Sequence, residues 1–261
     1  MSTLANIDLS VLYCMFKGAW GTRKSTAALS FPTPQYWFSY DRKMNSLILP
    51  MNHFGIKPTD ISFDDYRDYD ACRKKLEDFQ GSCPYKTIVI DSVSSFGDSV
   101  LRQTIDRKEG MVRKAGKSAG KMIGGIDVPE IEDFNAESAA LLEMMSLTKD
   151  LNERKNINIV LIAHVITIQS TGLDGVSHID RTIVTAGKKV SHKIPAYCDE
   201  VYHFEVEGDN YTVKTQNNGF DFARTSLPLD KKITMNDKRL YDEFLIPAVE
   251  KLKNQPPSIR F

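Results

Sequence analysis

An apolar run that leads directly into a glycine-bearing turn and a lysine–serine pair constrains this chain more than any other feature. The run is Val11-Leu12-Tyr13-Cys14-Met15-Phe16, followed by Lys17-Gly18-Ala19-Trp20-Gly21-Thr22-Arg23-Lys24-Ser25-Thr26. From Ser25 to Phe31 the residues suit a helix that ends before Pro32. A strand, a glycine turn and a helix N-terminus in this order direct backbone N–H groups and the positive end of the helix dipole toward an anion. The segment therefore predicts a phosphate-binding loop over residues 18–26.

The loop departs at one position from the pattern G-x-x-x-x-G-K-[ST], because Arg23 stands where the pattern has glycine. Glycine tolerates a positive φ there, whereas a side chain is strained or aimed outward. Three interpretations are open: Arg23 adds a phosphate contact, it weakens binding, or the site does not hydrolyse nucleotide. Because Gly18, Lys24 and Ser25 are present, we expect nucleotide binding to be retained, with Lys24 between the β- and γ-phosphates.

Charge and cysteine content narrow the class of protein. Lys+Arg and Asp+Glu are balanced at 34 each, so nucleic-acid binding would have to come from local clusters. The four cysteines show neither C-x-x-C spacing nor the density of a disulfide-stapled domain, which indicates reduced thiols. The N-terminus has no signal-peptide arrangement, and no apolar run approaches the roughly 18 residues of a membrane span. We expect a cytoplasmic protein (in the host cytoplasm if viral) without a membrane partner.

Three apolar runs predict a parallel sheet covered by helices on both faces, the α/β class. These runs, Gln35–Tyr40, Thr87–Ile90 and Ile157–Ile162, lack the alternation of a half-solvated strand. Helical spacing is present in Tyr66–Gln80 and Ala136–Lys155.

The pattern changes after residue 198. Glu200–Val206 and Tyr211–Thr215 flank a Gly-Asp-Asn turn, which indicates an antiparallel hairpin. A last helix is predicted from about Lys238 to Lys253. We expect one nucleotide-binding domain over residues 1–235, and a C-terminal helix and tail over 236–261 packed on it or extending from it.

A second chemical signal is the segment Tyr85-Lys86-Thr87-Ile88-Val89-Ile90-Asp91-Ser92. An apolar strand that ends in aspartate places the carboxylate at the carboxyl edge of the sheet, where open α/β proteins bind ligands. In phosphate-loop proteins such a carboxylate helps to hold Mg²⁺, and the loop hydroxyl, here Ser25, binds the ion directly. A helix cap or turn residue is the other interpretation of Asp91.

The order of phosphate loop, Ile-Asp-Ser and a later strand Ile159-Val160-Leu161-Ile162-Ala163-His164 resembles the RecA-like ATPase core. In particular it resembles the small phage-type ATPases of single-strand annealing and recombination. The resemblance implies ATP and Mg²⁺ as ligands. It also makes Asp41 the group that polarises the attacking water, although the family usually has glutamate there, and His164 the sensor of the γ-phosphate. A solvated turn residue at 41 and a turn-capping histidine at 164 are the alternatives.

RecA-like cores carry two mobile DNA-contacting loops, and the resemblance places both here. The first position, residues 107–125, is the most basic and glycine-rich stretch of the chain, with Arg107, Lys108, Arg113, Lys114, Lys117 and Lys121. The second, Thr167–Lys193, contains His178, Arg181, Lys188, Lys189, His192 and Lys193. Because the first stretch is cationic and poor in aromatic residues, it suits contact with a phosphate backbone. A solvated insertion is the other interpretation of this basic run.

The resemblance further implies a homo-oligomer, a ring or filament, in which a neighbour's cation completes the site. The candidates are Lys188, Lys189, Lys193 and Arg224. The function expected is an ATPase that acts on single-stranded DNA in phage-type recombination or annealing, with recombination or replication proteins as possible partners. A helicase loader or motor subunit, a non-hydrolysing nucleotide switch or partner-binding module, and a small-molecule kinase are the alternatives.

Overall fold

The computed structural model describes residues 8–114, 122–123, 126–127, 129–171, 177–185, 187 and 190–254. Side chains are described for these residues except in 108–114, 122–123, 126–127, 168–171 and 177–180.

Strands form the centre of the molecule, and within the described residues they are β1 (Tyr13–Gly18), β2 (Gln35–Ser39), β3 (Ile61–Asp65), β4 (Thr87–Asp91), β5 (Met122–Ile123), β6 (Ile126–Asp127), β7 (Asn158–Thr171), β8 (Ser177–Ile183), β9 (Glu200–Glu207), β10 (Asn210–Lys214) and β11 (Lys232–Thr234). The helices are α1 (Lys24–Ala28), α2 (Ile48–Phe54), α3 (Tyr69–Gly81), α4 (Val93–Lys114), α5 (Ile131–Lys155) and α6 (Ile246–Asn254). A π-helical segment, Tyr241–Leu245, leads into α6.

The main sheet is mostly parallel and confirms the predicted α/β class. Its strand order is β11-β10-β9-β1-β7-β4-β2-β3, in which the strands from β9 to β3 are parallel and β10 and β11 are antiparallel. The phosphate-loop strand β1 lies near the middle, between β9 and β7. The hairpin of β9 and β10 follows the predicted pattern.

The core consists of two layers, one on each face of the sheet. Along β1, Tyr13 and Met15 pack into one layer with α3, α4 and α5. Cys14 and Phe16 pack into the other layer with α1, α2 and α6. Because successive side chains of a strand point to opposite faces, burial of both faces explains why the central strands are apolar without alternation.

The C-terminal helical segment packs on the domain rather than extending from it. Leu240, Leu245 and Val249 belong to the second core layer. The backbone N–H of Tyr241 donates to Ser30 Oγ (2.9 Å), and the Tyr241 hydroxyl donates to the Ser10 carbonyl (2.9 Å).

Two segments that the resemblance implies to be loops contain regular structure. Helix α4 continues to Lys114, so residues 107–114 of the basic stretch are helical. Strand β7 continues past His164 to Thr171 and forms an antiparallel ribbon with β8, so much of the second predicted loop is strand. The charges and glycines of residues 107–125 are compatible with a loop, but helical hydrogen bonding continues through their first part, to Lys114. The predicted loops are wrong for these described residues.

Candidate functional site

The loop between β1 and α1 begins at a glycine that no other residue could replace without a shift. A Cβ atom at Gly18 would lie 2.3 Å from the carbonyl oxygen of Phe204 on the neighbouring strand β9. Gly21, further along the loop, has φ of 76°, in the left-handed region that favours glycine. The two glycines therefore permit the close strand pairing and the reversal of the chain that form the loop.

The ammonium group of Lys24 is held inside this loop. Its Nζ donates to the carbonyl oxygens of Gly18 (2.9 Å) and Ala19 (2.6 Å) and to Thr22 Oγ1 (3.3 Å). Burial lowers the pKa of the Lys24 ammonium to about 8, although Asp91 and Asp41 oppose this effect. A buried cation at the base of the loop suits an anionic ligand, because a phosphate would supply the charge that the loop carbonyls only partly balance.

Arg23 adopts the backbone conformation that the pattern assigns to glycine, with φ of 62°. Its guanidinium carbon lies 3.8 Å from the centroid of the Tyr211 ring, and its Nη1 donates to the Asn236 carbonyl (2.7 Å). Nη1 is also 3.9 Å from Asp237 Oδ1. The side chain is thus engaged with β10 and the segment after β11, outside the loop, which favours the interpretation that it is aimed outward.

Ser25 and Asp91 lie together at the ends of the loop and of β4. Ser25 Oγ donates to Asp91 Oδ2 (2.8 Å). Burial, with repulsion by Asp41, raises the pKa of the Asp91 carboxyl to about 6, and the hydrogen bond from Ser25 only partly offsets this. A hydroxyl and a buried carboxylate provide the hard oxygen donors that Mg²⁺ prefers. The pair fits the predicted metal site.

Asp41 is not a solvated turn residue. Its Oδ1 accepts hydrogen bonds from Ser92 Oγ (2.8 Å) and Ser95 Oγ, and its Oδ2 lies 3.0 Å from His164 Nε2. Burial raises the pKa of this carboxyl, but the hydrogen bonds from His164, Ser95 and Ser92 outweigh burial and hold it well below its usual range. Asp41 is therefore a fixed, ionised carboxylate close to Asp91.

His164 lies where β7 changes its partner, rather than at the end of the strand. Parallel pairing with β1 ends at Gly18 and His164, and antiparallel pairing with β8 begins at Val165. The His164 backbone N–H donates to Ser94 Oγ (3.1 Å). Since its ring bonds Asp41, the interpretation of His164 as a cap of the following turn is wrong.

Trp20 contacts this site in a way that the sequence did not indicate. Its ring stacks on the His164 ring, with centroids 5.3 Å apart and planes inclined by 26°, and its side chain is 63% exposed. The phosphate loop therefore touches the Asp41–His164 pair through an aromatic contact. Thr26, the last residue of the predicted phosphate-binding loop, lies in the first turn of α1 and lines a small pocket together with Arg23.

A cavity of about 770 Å³ opens beside Ser95 at the same edge of the sheet. Arg42, Arg67 and Arg102 line it, together with Asp98 and other polar residues. Ser95 bonds the carboxylate of Asp41, so a ligand in this cavity would lie next to the candidate base. No sequence pattern indicated this cavity, because its lining comes from segments that meet only in the fold.

The predicted nucleic-acid and trans-acting residues are dispersed, and some already have partners. Arg107 forms an ion pair with Asp70, and Arg181 Nη1 lies 2.9 Å from Asp221 Oδ1. Arg224 donates to the carbonyl of Cys198, and Lys193 is exposed. Lys108, Arg113 and Lys114 belong to the last turns of α4, where only the backbone is described. Lys117, Lys121, Lys188 and Lys189 lie outside the described residues.

A mostly parallel sheet, a glycine-bearing loop after its central strand and an acid at the end of β4 are the arrangement typical of P-loop nucleotide-binding proteins. The chain belongs to a family described as AAA domain, whose model matches residues 14–227. A comparison with curated protein sequences gives no match.

Among solved structures, the chain is similar to a KaiC-like protein from the hyperthermophilic archaeon Pyrococcus horikoshii OT3. The identity is 15%, the TM-score is 0.41, and the match covers 86% of this chain and 89% of that one. In the described part of the chain, no helix combines the length and apolar character that crossing a membrane requires.

Proposed function

We propose that this protein binds ATP with Mg²⁺, hydrolyses it, and acts on single-stranded DNA in phage-type recombination or annealing. The observation that carries the proposal is the cluster at the sheet edge. Lys24 and the Ser25–Asp91 pair lie beside the Asp41 carboxylate, which His164 holds at 3.0 Å. Cation, metal donors and water-orienting carboxylate are the three parts that phosphoryl transfer needs.

Each side chain has a defined task in this proposal. Lys24 exchanges its bonds to the loop carbonyls for bonds to the β- and γ-phosphates. Ser25 and Asp91 would hold Mg²⁺, which neutralises phosphate charge when bound. Asp41 orients the attacking water, and its hydrogen bonds fix the carboxylate so that little reorganisation is needed. His164 positions Asp41 and passes the state of the site to β7 and β8.

The DNA-directed part rests on charge and placement. Arg113 and Lys114 end α4, and the basic run continues through Lys117 and Lys121 in the sequence. Clustered cations of this kind bind phosphate backbones without sequence preference.

Measuring phosphate release from ATP with and without single-stranded DNA tests the proposal. We expect Mg²⁺-dependent hydrolysis that the DNA stimulates. Hydrolysis that DNA does not affect would contradict the DNA-directed part, and phosphate transfer to a metabolite would favour a kinase. A motor subunit or helicase loader would be indicated by strand displacement, or by activity that requires a helicase.

A non-hydrolysing nucleotide switch is the second candidate, and the hydrogen bonds to Asp41 favour it. Both carboxylate oxygens accept hydrogen bonds, and the lowered pKa makes Asp41 a weak base. In this case ATP binds with ordinary affinity, no phosphate is released under any condition, and a protein partner binds only one nucleotide state.

A homo-oligomer is part of the proposal, with Lys188, Lys189, Lys193 or Arg224 acting in the neighbour's site. Of these, Lys193 has an exposed side chain, whereas Arg224 donates to the carbonyls of Ala196 (3.5 Å) and Cys198. Sedimentation with and without ATP tests assembly. Action in trans is tested by mixing a variant that lacks one of these cations with a Lys24→Ala variant. The first keeps an intact phosphate loop and the second keeps the cation, so a mixed assembly should regain activity that neither variant has alone.

A further inference from the structure

Two exposed phenylalanines flank a buried aspartate in the segment between β10 and β11. Phe220 is 62% exposed and Phe222 is 41% exposed, whereas Asp221 between them is buried. We call these two rings the aromatic platform. Two large aromatic side chains exposed within three residues place two apolar rings at the surface in the same short segment, where a ligand can contact both.

Hydrogen bonds fix the backbone under the platform. Asn217 Oδ1 accepts from the Gly219 N–H (2.8 Å), and Asn218 Oδ1 accepts from the N–H groups of Phe220 (3.0 Å) and Asp221 (2.7 Å). The segment is preorganised, so a ligand that contacts the rings does not have to order it first.

Ion pairs anchor Asp221 in turn. Lys214 Nζ lies 3.1 Å from Asp221 Oδ2 and 2.7 Å from Glu205 Oε2, and Arg181 Nη1 lies 2.9 Å from Asp221 Oδ1. The acids of this cluster are thus already paired with cations. The ammonium of Lys214 bridges the two carboxylates.

The platform borders a groove of about 410 Å³ whose charged side chains are all basic. They are Lys17, Arg181 and Arg224, and among the described residues that line the groove there is no Asp or Glu. Lys17 Nζ lies 5.8 Å from the centroid of the Phe222 ring, and Lys17 directly precedes Gly18 of the phosphate loop. Lys17 is buried and Arg181 is paired with Asp221, so the guanidinium of Arg224, which donates to the Cys198 carbonyl, supplies the positive charge of the groove that no described carboxylate balances. The groove thus places a cation beside the exposed rings.

We propose that Phe220 and Phe222 stack on bases of a single-stranded nucleic acid whose phosphates lie along the basic groove. This inference rests on the proposed function and extends it with a base-contacting surface. Nucleic-acid strands combine an anionic backbone with flat π-faces, and base–aromatic stacking of this type tolerates any sequence. The basic stretch at 107–125 contains no aromatic residue, so it lacks this means of contact.

The test compares two strands of equal length, one of thymidines and one made only of abasic sites. The double variant Phe220→Ala/Phe222→Ala should bind the thymidine strand more weakly, by roughly 5- to 150-fold for each ring that stacks. Its affinity for the abasic strand should change by less than about twofold, because this strand has the phosphates and no bases.

Two controls separate ring chemistry from general damage. Phe220→Tyr keeps an aromatic face and should retain binding to both strands. Phe63→Ala removes a phenylalanine that is 49% exposed on β3, at the opposite edge of the sheet, and should leave both affinities unchanged. The thermal unfolding midpoint and ATP affinity of each variant report whether the fold is retained.

The outcomes distinguish this inference from the proposed function. If the parental protein binds neither strand, the proposed action on DNA fails and this inference fails with it. If the parental protein binds DNA and the double variant retains that binding, or loses affinity for both strands equally, only the base-stacking inference is overturned. Loss of self-association in the double variant, with no dependence on bases, would overturn it in favour of a contact between copies of the chain.

Discussion

His164 Nε2 lies 3.0 Å from Asp41 Oδ2, although their strands are separated in the sheet by β4. The contact passes over the end of β4, next to the carboxylate of Asp91 at that end. Two acids and a histidine from three strands thus meet where the γ-phosphate would lie in the proposed function. All but the last of the predictions below concern side chains of this region or of the adjoining loop.

Asp41→Asn should preserve ATP binding and reduce hydrolysis by roughly 100- to 10,000-fold, because it removes the carboxylate charge and keeps the volume. The control is Asp98→Asn, the same chemical change on an exposed residue of the neighbouring cavity. Steady-state hydrolysis and equilibrium binding measure the two effects. Hydrolysis at the parental rate in Asp41→Asn would show that another group positions the water.

Lys24→Ala should weaken ATP binding severely while the fold is retained, since the lysine interacts mainly with loop oxygens. Calorimetric titration, with thermal unfolding as the check on folding, measures this. Unchanged ATP affinity would remove the basis of the nucleotide-site proposal.

The lowered pKa of Lys24 also predicts a pH dependence of ATP binding. The free ammonium, with a pKa of about 8, loses its proton above that pH, whereas a bound phosphate favours the charged form. Affinity should therefore fall above pH 8, by up to about tenfold per pH unit. Lys24→Arg stays charged and should show a flat profile over the same range, even if its affinity is lower. A parental profile that is flat to pH 10 would contradict the proposed role of the ammonium.

Arg23→Gly should change neither ATP affinity nor stability by much. Loss of the cation–π contact with Tyr211 costs about 0.5–1 kcal/mol, whereas relief of the left-handed backbone returns about 1–2 kcal/mol. Arg23→Ala loses the same contact and keeps the backbone strain, so it should unfold at lower denaturant concentration than Arg23→Gly. Weaker ATP binding in both variants would indicate a phosphate contact, and faster turnover in Arg23→Gly would indicate that arginine impairs the loop.

Asp91→Asn should weaken the Mg²⁺-dependent part of ATP affinity. In the parental protein, the contribution of Mg²⁺ to ATP affinity should also decline as the pH falls below about 6, because a protonated Asp91 carboxyl no longer holds a cation. ATP itself titrates in this pH range, so the same measurement on Asp91→Asn in the same buffers gives the part of the change that is due to the nucleotide. A variant with the parental Mg²⁺ requirement would show that Asp91 is only a turn residue.

The raised pKa of Asp91 also affects the stability of the protein in the absence of ligand. A carboxyl whose pKa is raised by folding binds more protons in the folded state, so its contribution to the free energy of unfolding increases as the pH falls from 7 toward 5. Denaturant titration of the parental protein and Asp91→Asn should show this increase only in the parental protein.

Neutralising Arg113, Lys114, Lys117 and Lys121 together should weaken binding to single strands of any sequence. Each lost phosphate contact should remove roughly 0.7 from the slope of log affinity against log salt. ATP binding should be unaffected, because none of these residues belongs to the loop. A matched control neutralises four exposed lysines elsewhere, Lys57, Lys74, Lys231 and Lys251. Parental affinity and slope in the first variant would exclude this segment as the DNA track.

The helices and strands near the site could be predicted from local sequence patterns. Where a predicted boundary or element differs from the structure, the difference has a physical cause. Helix α3 begins at Tyr69 rather than Tyr66 because Asp68 caps it, with Oδ1 accepting from the Asp70 N–H (2.7 Å). Strand β3 was missed because it is a short edge strand with mostly exposed side chains, so it has no buried face to produce a pattern.

The sequence by itself determined the strand–loop–helix unit at Gly18–Thr26 and the acid at Asp91, because these depend on residues adjacent along the chain. Only the tertiary structure decided the partners of Asp41, Arg23 and Asp221. His164 is 123 positions from Asp41, and the Asn236 carbonyl that Arg23 bonds is 213 positions away. Hydrogen bonds and ring contacts between such distant residues depend on how strands are ordered in the sheet, and local patterns of polarity carry no information about that order.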